Sequence, residues 1–326
     1  MKIKLFTHTD LDGVGCAILA YHVFGKDTVD VSYCDYDDID TEVKLLINDP
    51  EEYEKFNMIF ITDIKVSEEV AEKIDKDCDN VRLLDHHPTA EYLKKYDWCT
   101  IQIEREVFGE TIKTCGTELF YEWCNDMIPD KIMNPEPVSK MVDIIRNYDT
   151  WRWASLGEAG LISKKVNNLL YLYGRDMFIN WALMQIYQNE FPILTEMDNL
   201  ILDIDQKKVD RYIDSKEQEM VHYTVAGYTA GLVFAEMYTS ELGNTLAKRH
   251  PELDFIVMID MGEKSVSYRS VKDNIDLGKN VAAKFGGVGH PKAAGHFFGV
   301  RNKIDIDNFL RELFMEVEKE EEKKDE

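Results

Sequence analysis

Three short segments in the first ninety residues carry side chains with metal-ligand chemistry. In His8-Thr9-Asp10-Leu11-Asp12-Gly13 the ligand-type residues fall at alternating positions after an apolar run, so an extended chain aims all three side chains the same way. Carboxylates gathered this closely repel one another unless protons or cations neutralise them. A mixed set of histidine and aspartate suits Mn²⁺ or another borderline divalent ion better than Ca²⁺. The same segment also reads as a polar loop with a helix N-cap, and both readings stay open here. Asp63 follows the apolar run Met58-Ile59-Phe60-Ile61 and, taken singly, reads as a turn or cap residue. Asp85-His86-His87-Pro88 is more telling, because an acid and two adjacent histidines are costly to bury without a cation or hydrogen-bond partners. Two further acids, Asp143 and Asp149, lie in a helical stretch, the latter within Asn147-Tyr148-Asp149-Thr150-Trp151.

The elements that must position these groups repeat one pattern. Strand-like runs at residues 2–6, 58–61 and 81–84 each end in one of the polar segments, and helix-like stretches follow; residues 29–33 add another strand. Ser67 can cap the helix that begins at Glu68. Strands alternating with helices indicate a parallel sheet, whose ligands bind at the carboxyl ends of the strands. From residue 117 to 187 the pattern is mostly helical, broken by Pro129, Pro135 and Pro137. Trp151, Trp153, Tyr171, Tyr173 and Trp181 have the spacing of helical core residues rather than of a base-stacking platform. Phe191-Pro192 then opens a charged helical connector over residues 193–218. Strands return at residues 223–225, 231–235, 255–259 and 265–268, before Gly286-Gly287-Val288-Gly289-His290-Pro291-Lys292-Ala293-Ala294-Gly295. The last residues, 316–326, are almost wholly charged and read as a tail.

Bulk properties narrow the chemistry. A chain of 326 residues with 44% hydrophobic and 31% charged residues has globular composition and room for two cores. No apolar run reaches the roughly 18 residues of a membrane-spanning helix, and the start lacks a signal peptide's apolar stretch, so a cytoplasmic protein without a membrane partner is expected. Cys16, Cys34, Cys78, Cys99, Cys115 and Cys124 never form a C-x-x-C pair and read as reduced thiols. The formal charge is −24 and the sequence shows only short basic pairs such as Lys164-Lys165 and Lys207-Lys208 rather than the basic stripe a long nucleic acid needs, so a nucleic-acid substrate is expected to be short.

Together the segments resemble the DHH phosphoesterase superfamily, named for the triplet present here as Asp85-His86-His87. His8-x-Asp10-x-Asp12-Gly13 is similar to its first motif, Asp63 to its second and Asp149 to its fourth. The glycine-rich segment at 286–295 resembles the signature of the DHH-associated substrate domain, with Val288 where a further glycine is usual, and Ser267-Tyr268-Arg269-Ser270 resembles that domain's Ser-x-Arg-Ser segment. The stretch from 155 to 225 carries no motif.

The resemblance implies an α/β fold: an N-terminal parallel-sheet DHH domain over 1–190, a helical connector over 191–222, a smaller α/β substrate-binding domain over 223–315 and a charged tail over 316–326. It implies two metal ions, usually Mn²⁺, with Mg²⁺ or Co²⁺ as alternatives. One ion would take His8, Asp10 and Asp63, the other Asp12, Asp63, His86 and Asp149, with Asp63 bridging. Asp85 would orient a histidine, and His87 would face the scissile phosphate as donor or proton relay. Gly287, Gly289, Arg269 and His290 would bind substrate. Within the superfamily, chain length and the absent sensory, membrane and oligonucleotide-binding domains favour the stand-alone oligoribonuclease, or nanoRNase, branch. Its partners would be short RNA or DNA oligonucleotides or dinucleotides, and a homodimer is compatible with the sequence. The alternatives are a phosphatase for 3′-phosphoadenosine 5′-phosphate, a linear dinucleotide phosphodiesterase, and a catalytically silent nucleotide-binding module.

Overall fold

The computed structural model describes residues 2–107 and 109–298, and the chain divides into two compact units, Met1–Leu202 and Asp203–Glu326. The 316–326 stretch and the end of the 223–315 stretch lie outside the described residues.

In the first unit, strands β1 (Ile3–Thr7), β2 (Val29–Tyr33), β3 (Met58–Thr62), β4 (Val81–Asp85) and β5 (Cys99–Ile101) form one sheet in the order β2-β1-β3-β4-β5. Every pairing in it is parallel. Alternation along the strands feeds two cores. Ile3, Leu5, Phe60 and Leu84 face one side, while Phe6, Ile59, Ile61 and Leu83 face the other. Helix α1 (Leu11–Phe24) packs on the first side with α5 (Gly116–Met127), α6 (Pro135–Asp149), α7 (Glu158–Tyr173) and α8 (Arg175–Tyr187). The second side is covered by α2 (Ile39–Ile47) and α4 (Glu68–Asp77), with the short α3 (Pro50–Tyr53) beside them. Ser67 caps α4 by accepting from the Val70 N–H. A hairpin of β6 (Glu104–Val107) and β7 (Glu110–Lys113) stands apart from the main sheet.

Helix α9 (Glu196–Glu219) runs through the boundary between the units; Leu202 belongs to the core of the first, Val209 and Ile213 to a core of the second. The second unit holds β8 (Val221–Val225), β9 (Tyr228–Phe234), α10 (Thr239–Arg249), β10 (Phe255–Asp260), β11 (Ser265–Arg269), α11 (Leu277–Asn280), β12 (Val288–Gly289) and β13 (Ala293–Phe297). These strands form one sheet in the order β12-β13-β11-β10-β9-β8, parallel only where α10 connects β9 to β10. The architecture is thus α/β in both units, with the parallel sheet in the N-terminal one.

One expectation needs correction. Trp153, Tyr173 and Trp181 are half-buried, and the latter two pack against the first core, but Trp151 is 48% and Tyr171 68% exposed. Trp151 follows the end of α6 with a left-handed backbone, φ 61°, which turns its ring off the helical stripe.

Candidate metal centre

The strand order places the topological switch point between β1 and β3, where parallel sheets open a crevice at their carboxyl ends. His8 follows β1, Asp63 follows β3, and β4 ends in Asp85-His86-His87.

The first segment does not continue as an extended strand. Asp10 caps α1: its Oδ1 accepts from the N–H groups of Asp12 and Gly13, both at 3.1 Å. Its Oδ2 lies 3.0 Å from His8 Nδ1. The cap and the ligand readings are therefore both realised, one on each carboxylate oxygen. Asp12 falls in the first helical turn and points elsewhere, so the three side chains split into two groups instead of converging. Gly13 is obligatory at its place, because a Cβ there would stand 2.1 Å from the His8 carbonyl oxygen.

Three groups of donors have their ligand-type atoms within 4.8 Å of one another: His8, Asp10 and Asp63; Asp12, His86 and Asp149; and Asp63, Asp85, His86 and His87. Asp63 is shared by the first and third groups and His86 by the second and third; Asp63 Oδ2 lies 3.9 Å from His8 Nδ1 and its Oδ1 3.2 Å from His86 Nε2. His86 Nε2 is also 3.6 Å from Asp12 Oδ2 and 3.6 Å from Asp149 Oδ2. Asp149 ends α6 inside this set, whereas Asp143, two turns earlier, is exposed and ion-paired to Arg146. Asp85 accepts from the His86 N–H at 2.8 Å and holds His87 Nδ1 at 2.7 Å. The histidine it orients is thus its neighbour but one.

The electrostatics call for a cation. Burial first, then repulsion from Asp12 and Asp10, holds the Asp63 carboxyl well above the usual carboxylate range, and the same causes raise Asp149. Asp63 Oδ2 is buried without a hydrogen-bond partner. Burial pulls His86 down toward the neutral imidazole that a ligand must be, while His8 is raised by its hydrogen bond to Asp10. His87 is also raised: burial acts to lower it, but the bond to Asp85 and the surrounding carboxylates prevail. An orphaned carboxylate oxygen amid mixed oxygen and nitrogen donors fits a divalent ion well.

Two contributors have no signal in the motifs. The N-terminus of α5 aims its amides at Asp12: Thr117 N donates to Oδ1 at 2.8 Å, Gly116 N donates to Oδ2, and Thr117 Oγ1 donates to the Asp12 carbonyl at 2.6 Å. Gly116 lies so close to Asp63 that a Cβ would meet the Asp63 Cβ at 2.5 Å. Cys115 caps the helix, its Sγ accepting from the Glu118 N–H at 3.4 Å, and nothing local in the sequence says that the helix end meets a residue 104 positions earlier. The second contributor, Tyr36, places its hydroxyl 3.3 Å from His87 Nε2.

In the second unit, Arg269 ends β11 half-buried, with Nη1 donating to the Tyr268 carbonyl at 2.9 Å and Nη2 to Ser240 Oγ at 3.2 Å. Burial lowers its pKa, although a guanidinium stays charged. Gly287 precedes and Gly289 ends β12, and exposed His290 turns the chain into β13, its N–H donating to Ala293 at 2.7 Å. Ala293 in turn pairs with Arg269 across β11 and β13. Both glycines are required by packing: a Cβ on Gly287 would stand 2.2 Å from the Gly295 carbonyl, and one on Gly289 2.3 Å from Ala294 Cα. His296, 3.1 Å from the Tyr268 hydroxyl, is a neighbouring polar group outside the motif's named donors.

Comparison with known proteins shows the family. Residues 2–145 match the DHH family, N-terminal domain. Oligoribonuclease NrnB of Bacillus subtilis (strain 168) is 34% identical over 295 residues, which cover 89% of this chain and 71% of that protein. The chain belongs to the DHH family. As such it is an enzyme, a metal-dependent phosphoesterase of the hydrolase class. Two solved structures share the fold at low identity. Exonuclease RecJ bound to manganese has a TM-score of 0.54 at 10% identity, covering 91% of this chain and 86% of that one. The pGpG-specific phosphodiesterase PggH from Vibrio cholerae has a TM-score of 0.50 at 13% identity, covering 97% and 99%. Among the described residues no helix is long and apolar enough to cross a membrane.

Proposed function

We propose that the protein hydrolyses short oligonucleotides, nanoRNA or dinucleotides, to mononucleotides at a centre of two divalent ions, Mn²⁺ by preference and Mg²⁺ or Co²⁺ as substitutes. The observation that carries this reading is Asp63, which turns one carboxylate oxygen toward His8 and the other toward His86. One ion would be held by His8, Asp10 and Asp63, the other by Asp12, Asp63, His86 and Asp149. Bound there, the pair would neutralise the phosphodiester's charge and lower the pKa of water.

The chain's own residues do the rest. The α5 amides hold Asp12 in one orientation, leaving it no freedom to swing from the cluster. Asp85 fixes His87 at Nδ1, so its Nε2 is the edge that can give a proton to a phosphate or leaving oxygen. The side chains of Arg269 and His290 would offer donors to substrate phosphate in the second unit, and Gly287 and Gly289, bare of side chains, would let it approach the backbone. On this reading 1–190 is catalytic, 191–222 a connector, 223–315 substrate-binding and 316–326 a tail. The oligoribonuclease name of the Bacillus relative and the net charge of −24 both favour short substrates. Six free cysteines suit a cytoplasmic setting.

A panel of dinucleotides, a five-nucleotide RNA and 3′-phosphoadenosine 5′-phosphate tests the assignment. With Mn²⁺, diester cleavage to mononucleotides should exceed release of the 3′-phosphate. Arg269→Ala removes a charge-assisted hydrogen bond, so kcat/KM on a dinucleotide should fall roughly 10- to 150-fold. Hydrolysis of bis-p-nitrophenyl phosphate, which needs only the metal centre, should change far less. Tight Mn²⁺ binding with no turnover on any member of the panel would replace the enzyme reading with a binding module.

A further inference from the structure

Beside the cluster, the first unit has a cavity of about 400 Å³, a volume typical of small-ligand sites. Tyr36 forms part of its wall and also faces the cluster. Its ring centroid lies 5.3 Å from that of His8 and its hydroxyl 3.3 Å from His87 Nε2, yet the residue is 52% exposed. A large aromatic ring left half in water is not there to fill a core. The rest of the wall includes Tyr92, which gives the cavity apolar surface, and Asp40 and Lys65, which give it polar groups. Lys65 lies two residues beyond Asp63; its ammonium sits 5.6 Å from the Tyr92 ring centroid and donates to the Thr89 carbonyl at 3.1 Å. Asp40 accepts from the Ser67 N–H at 2.8 Å through Oδ1, so the wall is held by bonds of its own.

We propose that this cavity receives the nucleoside attached to the phosphate at the cluster, with Tyr36 as its base-stacking residue. The proposal rests on the phosphodiesterase reading above and deepens it. A phosphate over His8 and His87 brings its own sugar and base within reach of the adjoining wall. Aromatic stacking accepts any base, because every base has a π-face. The cavity is an open cleft of small-ligand size, which has room for one nucleoside, in keeping with short substrates. The competing account is that Tyr36 acts only through its hydroxyl, by positioning His87.

Calorimetric titration of the Mn²⁺-loaded full chain with AMP and with ribose 5-phosphate separates the two accounts. The wild type should bind AMP more tightly than ribose 5-phosphate. Tyr36→Ala should weaken AMP roughly 5- to 150-fold and leave ribose 5-phosphate within about 2-fold. Tyr36→Phe, which keeps the ring and loses the hydroxyl, should hold AMP within about 2-fold of wild type. Unchanged AMP affinity in Tyr36→Ala, or equal weakening of both ligands, overturns the proposal. Dinucleotide turnover by the same preparations is measured separately: AMP binding that depends on Tyr36 without any turnover would uphold the nucleoside site and overturn the phosphodiesterase reading.

Discussion

Asp63 is held under two opposed demands. Its backbone is left-handed, φ 58°, a conformation that aspartate and asparagine tolerate better than most residues. Its side chain is buried among Asp12, Asp10 and Asp149, which disfavours the charge that a bridging ligand needs. Asp63→Asn keeps the backbone preference and removes the charge, so metal-free protein carrying it should melt higher than wild type. In a unit of this size each kcal/mol relieved corresponds to about 2–4 °C. The same variant should lose activity by more than the roughly 100-fold that follows loss of an outer partner. Full Mn²⁺-dependent activity in Asp63→Asn would remove the bridging assignment. A second comparison sets Asp149 against Asp143. Asp149→Asn should reduce bound metal, measured by titration against a chelating dye, whereas Asp143→Asn should leave it unchanged because that side chain pairs with Arg146. The reverse result would transfer the ligand role to Asp143.

At the level of elements, α5 does for the centre what no motif announces. Its first turn donates to Asp12 and its first residue, Gly116, packs on Asp63, so one helix end constrains both acids. Gly116→Ala puts a Cβ 2.5 Å from the Asp63 Cβ and must push one backbone away from the other. Overpacking of this kind costs about 1–3 kcal/mol, and denaturant melts should show that loss together with a fall in kcat. Wild-type stability in Gly116→Ala would mean that α5 is free to withdraw. Strands β1, β3 and β4 were legible because apolar runs ending in His8, Asp63 and Asp85 carry their own boundaries. The hairpin β6–β7 was not, since Glu104-Arg105-Glu106-Val107 shows no apolar face; nor was β5, whose three residues are too short for a period. The same limit applies to the site. Asp10 and Asp12 stood out by spacing, but their division between two groups depends on where α1 begins. Gly116, Thr117 and Tyr36 reach the cluster across the fold, and no spacing along the chain encodes such a contact.

For the molecule as a whole, the cluster makes stability depend on pH and metal together. Asp63 and Asp149 have folded pKa values raised above the ordinary 3.8. Between that value and the raised ones, the folded metal-free chain keeps protons that the unfolded chain has released. Stability is therefore greatest, for these groups, at the acid end and declines as pH rises through the window. A divalent ion takes the place of those protons and removes the penalty. Added Mn²⁺ should raise Tm more at about pH 8 than at about pH 5, and Asp63→Asn should flatten the difference. Equal gains at both values would mean that the acids do not form a common site. The return of strands after the helical stretch was legible in the sequence, as was a glycine-rich turn, by its composition. The exposure of Trp151 and Tyr171 was not legible, because periodicity counts apolar residues without saying which of them end up covered.

The amides of Gly116 and Thr117 point at a carboxylate whose surroundings change when cations arrive. Their protons lie on the line between the α5 dipole and Asp12, so their resonance positions should move as that carboxylate shares its charge, and their exchange with deuterium should slow as it is fixed. The fold thus contains its own gauge of ion occupancy, two backbone signals that can be followed in solution without substrate, label or colour change.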